Sequence, residues 1–494
     1  MIGSSQLEHL RELISRRLGL HFDDTKLGFL AEVLRRRSDA VGCDPTTYVA
    51  RLASVGPAEI GALASELTVG ETYFFRNNDQ FRALAQVVIP ERVRMQNGRR
   101  LLRLLSAGCA SGEEPYTIAI VVRDVLSDPA WEISIRAVDV NPTALERARR
   151  AKFTSWALRE TPPHVQSKWF RAEGRDFALD RSIHAMVQFE ERNLATEDPE
   201  LWQRGAYDLI FCRNVLMYFT PEMMRDVVAR LSRSLAPGGY LFLGHAETLR
   251  GMSNDFHLCH THETFYYQLR SDTERIDRGE SRTAEPQTRA LAAVVATTGS
   301  WVEAIEQASD RIRALAEVHT AASLPDERRG WDLCAALDLL RRERFAEALE
   351  LVEGLPEDSV LDPDVLLLRG VLLVHDGQSP AAEEACRRLL AIDELNAGAH
   401  YVLALCRESA GDRDSAVGHD QTAMYLDPAF AMPRLHVGLI ARRAGEHDTA
   451  RRELEQALVL LEREDASRLL LFGGGFHREA LIALCRAELA RAGE

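Results

Sequence analysis

The side chains best suited to chemistry surround a turn in the stretch Leu101–Tyr116, LLRLLSAGCASGEEPY. An apolar run breaks at Ser106, two glycines, Gly108 and Gly112, bracket small residues, and Glu113 and Glu114 lead into Pro115. A glycine turn between a strand and a helix is where open α/β sheets hold cofactors. The spacing is Gly-x-x-x-Gly, without the third glycine of a dinucleotide fingerprint or the Lys-Ser/Thr pair of a phosphate loop. A helix start normally attracts phosphate, but two carboxylates repel it, so the ligand near this turn is neutral or cationic. Asp139 closes the next strand-like run, WEISIRAVDV. An acid there accepts two hydrogen bonds from the ribose of an adenosine-containing ligand; its alternative role is to cap the helix that follows. Upstream, Thr72 and Arg76 of LTVGETYFFR stand four residues apart. In a helix they share a face, from which they reach a ligand's carboxylate or amino group. Phe74 and Phe75, between them, read as a hydrophobic latch between domains.

Positioning these groups takes a sheet. The pattern predicts strands near 101–105, 131–140, 186–193, 207–212, 240–244 and 264–269, with helices at 116–125, 143–151 and 221–235 between them. Strands alternating with helices give a mainly parallel sheet. Its ligands gather at the strands' carboxyl ends, where Gly108, Asp139, Asn193, Arg213, Asn214 and His245 all fall. Pro237-Gly238-Gly239 predicts an antiparallel closing pair. Residues 152–185, irregular and rich in Trp, Phe, Arg and Pro, read as an inserted subdomain.

With 494 residues the chain has room for about three domains. A net charge of −15 disfavours general nucleic-acid binding, although residues 1–100 are slightly basic on their own. Residues 1–75 read as helices only: Leu7, Leu10, Ile14 and Leu18 recur at helical spacing, as do Leu27, Leu30, Val33 and Leu34. The run Arg35-Arg36-Arg37 is either a solvated helix face or a docking surface for an acidic partner. Eight scattered cysteines form no C-x-x-C pair, which predicts neither a disulfide framework nor a metal site. The N-terminus lacks the apolar core of a signal peptide, and no run of about 18 apolar residues offers a membrane span; the expectation is a cytoplasmic protein.

The C-terminal region repeats. Ala348, Ala382, Ala416 and Ala450 are 34 residues apart, as are Ala336, Gly370, Ala404 and Gly438, and Gly377, Gly411 and Gly445, with Glu343 in the first copy. Small residues let paired helices approach and glycine marks the turn between them, at the period of tetratricopeptide repeats. Such repeats stack into a superhelix with a concave groove, read here as binding a protein or peptide, or else as a self-packing regulatory or dimerising arm. Phe472-Gly473-Gly474-Gly475-Phe476 interrupts the last helical stretch. Residues 271–330 read as a polar linker, with helical spacing returning at Trp301–Val318.

ELTVGETYFFR, SAGCASGEEPYTIA, AVDVN, YDLIFCRNVLMYF and PGGYLFLGHAE occur in an order and over a span that resemble the CheR-type chemotaxis receptor methyltransferases. The resemblance covers about residues 5–270. It implies an α/β Rossmann-like S-adenosylmethionine-dependent methyltransferase domain (76–270) behind an all-α N-terminal domain (1–75), followed here by the linker and an α-solenoid of tetratricopeptide repeats (331–494). The implied reaction is methyl transfer from S-adenosyl-L-methionine, leaving S-adenosyl-L-homocysteine, to glutamate side chains of chemoreceptor cytoplasmic helices. By match to the family motifs, Thr72 and Arg76 should contact the cofactor's methionine part, Glu113 its amino end and Asp139 its ribose. Asn193 with Leu194, and Arg213 with Asn214, should complete the pocket. Arg94 and Tyr218 are the candidate groups to orient the acceptor carboxylate, and Arg35, Arg36 and Arg37 to dock the substrate. Gly70 stands where the family usually has Asn, removing one side-chain contact to the cofactor. If that loss marks decay, the chain is instead a catalytically weak scaffold acting through its repeats. Trp169–Met186 contains a single glycine, unlike the glycine-rich insert with which some members dock a receptor-tail pentapeptide, so dependence on such a peptide is not expected.

Overall fold

The run LLRLLSA is apolar on both faces, which suits a strand covered on both sides, and it forms β1 (Leu101–Ala107). The computed structural model describes residues 4–68, 70–96, 98–271, 333–342, 344–355 and 362–492. Contacts divide the chain into two compact units, residues 1–284 and 285–494. Most of the expected linker (272–330) and Glu343 lie outside the described residues.

In the first unit, α1 (Ser4–Leu18), α2 (Leu27–Val41), α3 (Pro45–Leu52) and α4 (Pro57–Leu67) bury most of the periodic residues read from the sequence, with Leu7 and Leu27 only half-buried. Asp44 caps α3 by accepting from the N–H groups of Thr46 and Thr47, and Pro45 and Pro57 occupy first-turn positions that need no donor. α5 (Asn78–Ala83) and α6 (Ile89–Met95) lead into β1. Then follow α7 (Glu113–Val125), β2 (Glu132–Asp139) and α8 (Pro142–Arg150). β3 (Lys152–Thr154), α9 (Pro163–Trp169), β4 (Phe170–Glu173), β5 (Asp176–Leu179) and α10 (Arg181–His184) come next, then β6 (Val187–Glu191), β7 (Tyr207–Cys212), α11 (Pro221–Ser234), β8 (Leu235–Leu243), β9 (Phe256–Thr261) and β10 (Thr264–Leu269).

The main sheet has the order β6-β2-β1-β7-β8-β10-β9. β6, β2, β1, β7 and β8 run parallel, while β10 is antiparallel to both β8 and β9. The antiparallel closing pair was foreseen, but β9 was not. Its sequence, FHLCHT, alternates histidines with apolar residues along a half-buried edge, so it carries little apolar signal. β3, β5 and β4 form a separate antiparallel sheet within 152–185. Phe74 latches that sheet by edge-on contacts with Phe153 at 4.7 Å and Phe170 at 4.9 Å, while Phe75 packs on Phe81. Rings of Phe81, Phe211, Phe242 and Tyr266 stack in a column through the core.

The second unit is a helical solenoid. Its first helices are Leu333–Arg341, Pro363–His375, Ala397–Ser409 and Ala431–Arg443. Each packs on a second helix: Phe345–Glu353, Ser379–Ile392, Arg413–Leu426 and His447–Leu461. The second helices start 34 residues apart, and Ala348, Ala382, Ala416 and Ala450 are fully buried between neighbours. A Cβ on Gly438 would lie 2.7 Å from Leu454, which is why the position stays small. Gly377, Gly411 and Gly445 turn the chain at φ of +75°, +80° and +77°. Among the described residues no helix is long and apolar enough to cross a membrane.

Candidate active site

The chain leaves β1 towards β2 on one side and β7 towards β8 on the other, so the strand order reverses between β1 and β7. A crevice opens outside the carboxyl ends of strands at such a point. The turns after β1 and β7 meet there. Gly108 has φ of +79°, and a Cβ on it would lie 2.3 Å from Val215 Cγ2; on Gly112 (φ +96°) it would lie 2.9 Å from Ala148 Cβ. Neither glycine can carry a side chain without moving a neighbouring element.

The cleft, about 820 Å³ with the open solvent at its mouth included, is lined by Gly70, Gly108, Ala110, Asp139, Asn193, Leu194, Asn214 and Tyr218, among others. Leu18, Leu20, His21 and Phe22 supply a further wall, which the sequence reading missed because nothing local marks a loop that docks on a distant strand end. The His21 N–H donates to the Tyr218 carbonyl at 2.7 Å, and Leu20 bridges Phe219. Asn193 Nδ2 donates to the Arg17 carbonyl at 2.9 Å. Ser65 and Thr68 hydrogen-bond Asn141, at 2.8 and 3.0 Å. The N-terminal helices are therefore fastened to the cleft at several points.

Asp139 accepts the N–H of Ala110 and of Asn141, each at 2.8 Å, which ties the glycine turn to the end of β2. Asn141, and not Asp139, caps α8 by accepting from Ala144 N–H. Each carboxylate oxygen keeps a second lone pair for another donor. Burial pushes the Asp139 carboxyl up. Glu113 is buried at the start of α7, where Ser111 Oγ donates to it at 2.7 Å. Burial raises its carboxyl to about 7, against the opposing effects of the Ser111 hydrogen bond, a backbone N–H and the Arg147 charge. Pro115 sits at the third helical position rather than the first, still within the turn that needs no N–H donor.

Arg213 is buried beneath the site rather than in its lining. Its guanidinium donates to the Arg76 carbonyl at 2.5 Å and to Asn77 Oδ1 at 2.9 Å, lies 3.5 Å from Glu114, and covers the Phe81 ring. The segment carrying Thr72 and Arg76 is not helical: Phe75 and Asn77 take left-handed conformations, at φ of +59° and +62°. The two side chains therefore do not share a helix face, and neither they nor Glu113 line the cleft. Arg94 lies on α6, which precedes β1 and so stands at the strands' amino end. Its side chain is 75 % exposed and faces Glu91, so it does not join the site, whereas its neighbour Arg92 forms a buried 2.6 Å ion pair with Asp208. The basic run is also largely engaged. Arg37 pairs with Glu59 and is mostly buried, while Arg35 and Arg36 remain exposed beside Glu32, Asp39 and Glu66.

Glu247 is a positioning residue that the sequence reading passed over. Its carboxylate accepts the N–H groups of Asn214, Val215, Leu216 and Gly244 at 2.6–2.8 Å. It thereby holds the Arg213–Asn214 turn, in which Asn214 has φ of +57°. The motif PGGYLFLGHAE contained it, but only the fold reveals its partners.

Residues 70–265 match the family described as "CheR methyltransferase, SAM binding domain". A chemotaxis protein methyltransferase of Vibrio cholerae is 33% identical over 270 residues, covering 52% of this chain and 90% of its own length. The chain belongs to the CheR methyltransferase family. A probable biofilm formation methyltransferase, WspC, of Pseudomonas aeruginosa is 29% identical over 455 residues, 91% of this chain and 98% of that protein. Among solved structures, MamA aligns over 32% of this chain and 89% of its own at 19% identity and a TM-score of 0.24.

The CheR domain makes this an S-adenosyl-L-methionine-dependent methyltransferase, and the residues present suit that cofactor. Gly108 and Gly112 leave a cradle no side chain can fill, and Asp139 retains acceptor capacity. Glu113 is a buried carboxylate that forms no ion pair among the described residues, only feeling the charge of Arg147, a setting that favours a positively charged neighbour.

Proposed function

We propose that this enzyme methylates glutamate side chains on the cytoplasmic helices of a chemoreceptor-type protein, within the cytoplasm, and that its repeat unit engages a protein partner. The observation that carries the reading is the make-up of the cleft. The ionisable side chains that line it are His21, Asp139, Arg192 and Tyr218, and Asp139 is tied to two backbone N–H groups. The nearby thiols, Cys109 and Cys212, are buried and pushed well above their usual range. Among the described residues, the cleft lining and these two thiols thus offer no activated nucleophile. An acceptor glutamate brings one, since it is ionised at neutral pH and needs no strong base.

When bound, S-adenosylmethionine supplies an electrophilic methyl group whose leaving group is a neutral thioether. The protein's task is alignment. Asp139 serves the ribose, Asn193, Leu194 and Asn214 wall the cleft, and Thr72, Arg76 and Glu113, which stand outside the lining, are the proposed contacts of the methionine part and its amino end. Tyr218, part-exposed on the lining, orients the incoming carboxylate. Arg35 and Arg36 are the exposed members of the basic run and the candidate docking residues for acidic receptor helices.

Gly70 supports the scaffold reading only weakly. A Cβ there meets nothing closer than 3.9 Å, so the position lacks a contact but obstructs nothing. The deciding experiment incubates the protein and methyl-labelled cofactor with receptor cytoplasmic fragments. Base-labile release of labelled methanol is the expected result; its absence, together with undetectable cofactor binding, leaves the scaffold reading.

A further inference from the structure

Beyond the four helix pairs, the chain adds two helices. Arg478–Ala492 packs against His447–Leu461 and closes the end of the stack. Ala466–Phe472 goes elsewhere: it packs against Leu333–Arg341 and Pro363–His375, the first helices of the first and second pairs. With Phe472 also meeting Tyr401 of Ala397–Ser409, this segment contacts the first helices of three successive pairs and lies along the groove that those helices form. Leu469, Leu471 and Phe472 are buried there. Phe472 sits 5.8 Å from Tyr401 and 5.1 Å from Phe430, ring centre to ring centre.

Polar contacts hold its start. Arg468 pairs with Asp427 at 2.9 Å, and Glu464 accepts the N–H of Ala431 at 2.6 Å. Gly474 and Gly475, at φ of +63° and +82°, turn the chain out again. The Phe-Gly-Gly-Gly-Phe interruption is thus the exit from the groove.

We propose that the groove is a binding site for a short apolar helix of the Arg-Leu-Leu-Leu-Phe kind, and that Ala466–Phe472 is its resident occupant, which a partner segment of the same chemistry displaces. The seated helix is the template for that partner. A leucine pair and an aromatic anchor enter an apolar, aromatic-lined groove, as amphipathic helices do in helix-in-groove recognition, and an arginine ahead of them meets a carboxylate at the rim. This rests on the reading that the repeats engage a protein partner.

The test uses the full-length chain and a fluorescent synthetic peptide spanning residues 464–476. The wild-type chain is expected to bind it weakly. Leu471→Asp, which expels the resident helix, and Arg468→Ala, which frees its start while sparing the apolar contacts, should each bind it about tenfold or more tightly, because the competent groove is then populated more often. A peptide carrying Leu471→Asp should not bind. Arg468→Ala decides the matter if Leu471→Asp loses its helical circular dichroism. Tight binding to the wild type overturns the resident occupant but keeps a partner site. No binding to a folded Arg468→Ala chain, even at millimolar peptide, overturns both the occupant and the groove reading.

Discussion

Glu113 is a carboxylate raised to about 7, and its charge state answers to whatever arrives beside it. A cationic amino end binds the ionised form, so cofactor affinity should hold steady above about pH 7 and fall towards tenfold per unit below it; calorimetric titration across that range measures it. The sign for folding is opposite. The native state prefers the proton relative to an ordinary carboxyl of 4.5, so this group subtracts stability as pH rises through that window. Glu113→Gln should therefore flatten the pH profile and cost about tenfold or more in cofactor affinity without lowering Tm. Gly70 gives a gain-of-function counterpart. The open space around it admits the family's asparagine, and Gly70→Asn should tighten cofactor binding by about one hydrogen bond, some 0.5–1.5 kcal/mol; an unchanged Kd contradicts the missing-contact reading. At this scale the turn of Gly108 and Gly112 and the place of Asp139 beside it on the cleft were legible, because each is set by its own turn. The sequence misplaced Arg94 because residue type says nothing about which end of a strand a helix precedes.

Among elements, the turn after β7 depends on a carboxylate that arrives from the end of β8. Glu247→Ala leaves several buried N–H groups without acceptors, each worth about 1–3 kcal/mol. Tm should drop sharply and cofactor affinity with it, whereas Glu247→Asp should rescue part of both. Arg92→Ala should cost about 1–3 kcal/mol, since it removes the closer partner of Asp208 while Arg103 still holds the other carboxylate oxygen, measured by denaturant unfolding, with cofactor affinity in the folded fraction unchanged because the pair sits at the opposite end of β7. The parallel strands were legible because they are apolar runs between helix signals. β9 and the non-helical Thr72–Arg76 segment were not, since pairing with β10 and the left-handed Phe75 and Asn77 are decided by contacts remote in sequence. The β4–β5 hairpin turns through Gly174 and Arg175, leaving no glycine-rich loop; a receptor-tail pentapeptide titrated onto the protein should show no saturable binding.

For the whole molecule, the match to the CheR domain begins at residue 70, yet the cleft takes a wall from Leu18–Phe22. The N-terminal helices belong to the binding site as much as the sheet does. Phe22→Ala, which trims that wall without touching the sheet, should weaken cofactor binding several-fold with little change in Tm. The solenoid was legible from its period, because each repeat writes the same small residues at the same places. What fills its groove was not, because Ala466–Phe472 reaches helices more than 90 residues earlier in the chain.

That seated helix also sets a threshold in units of concentration. A segment tethered to its own groove competes at an effective concentration in the millimolar range for a short link, far above that of any single protein in a cell. A free peptide of equal intrinsic affinity therefore loses the contest. A successful partner must be presented at comparable local density, or must grip more of the groove than the resident does.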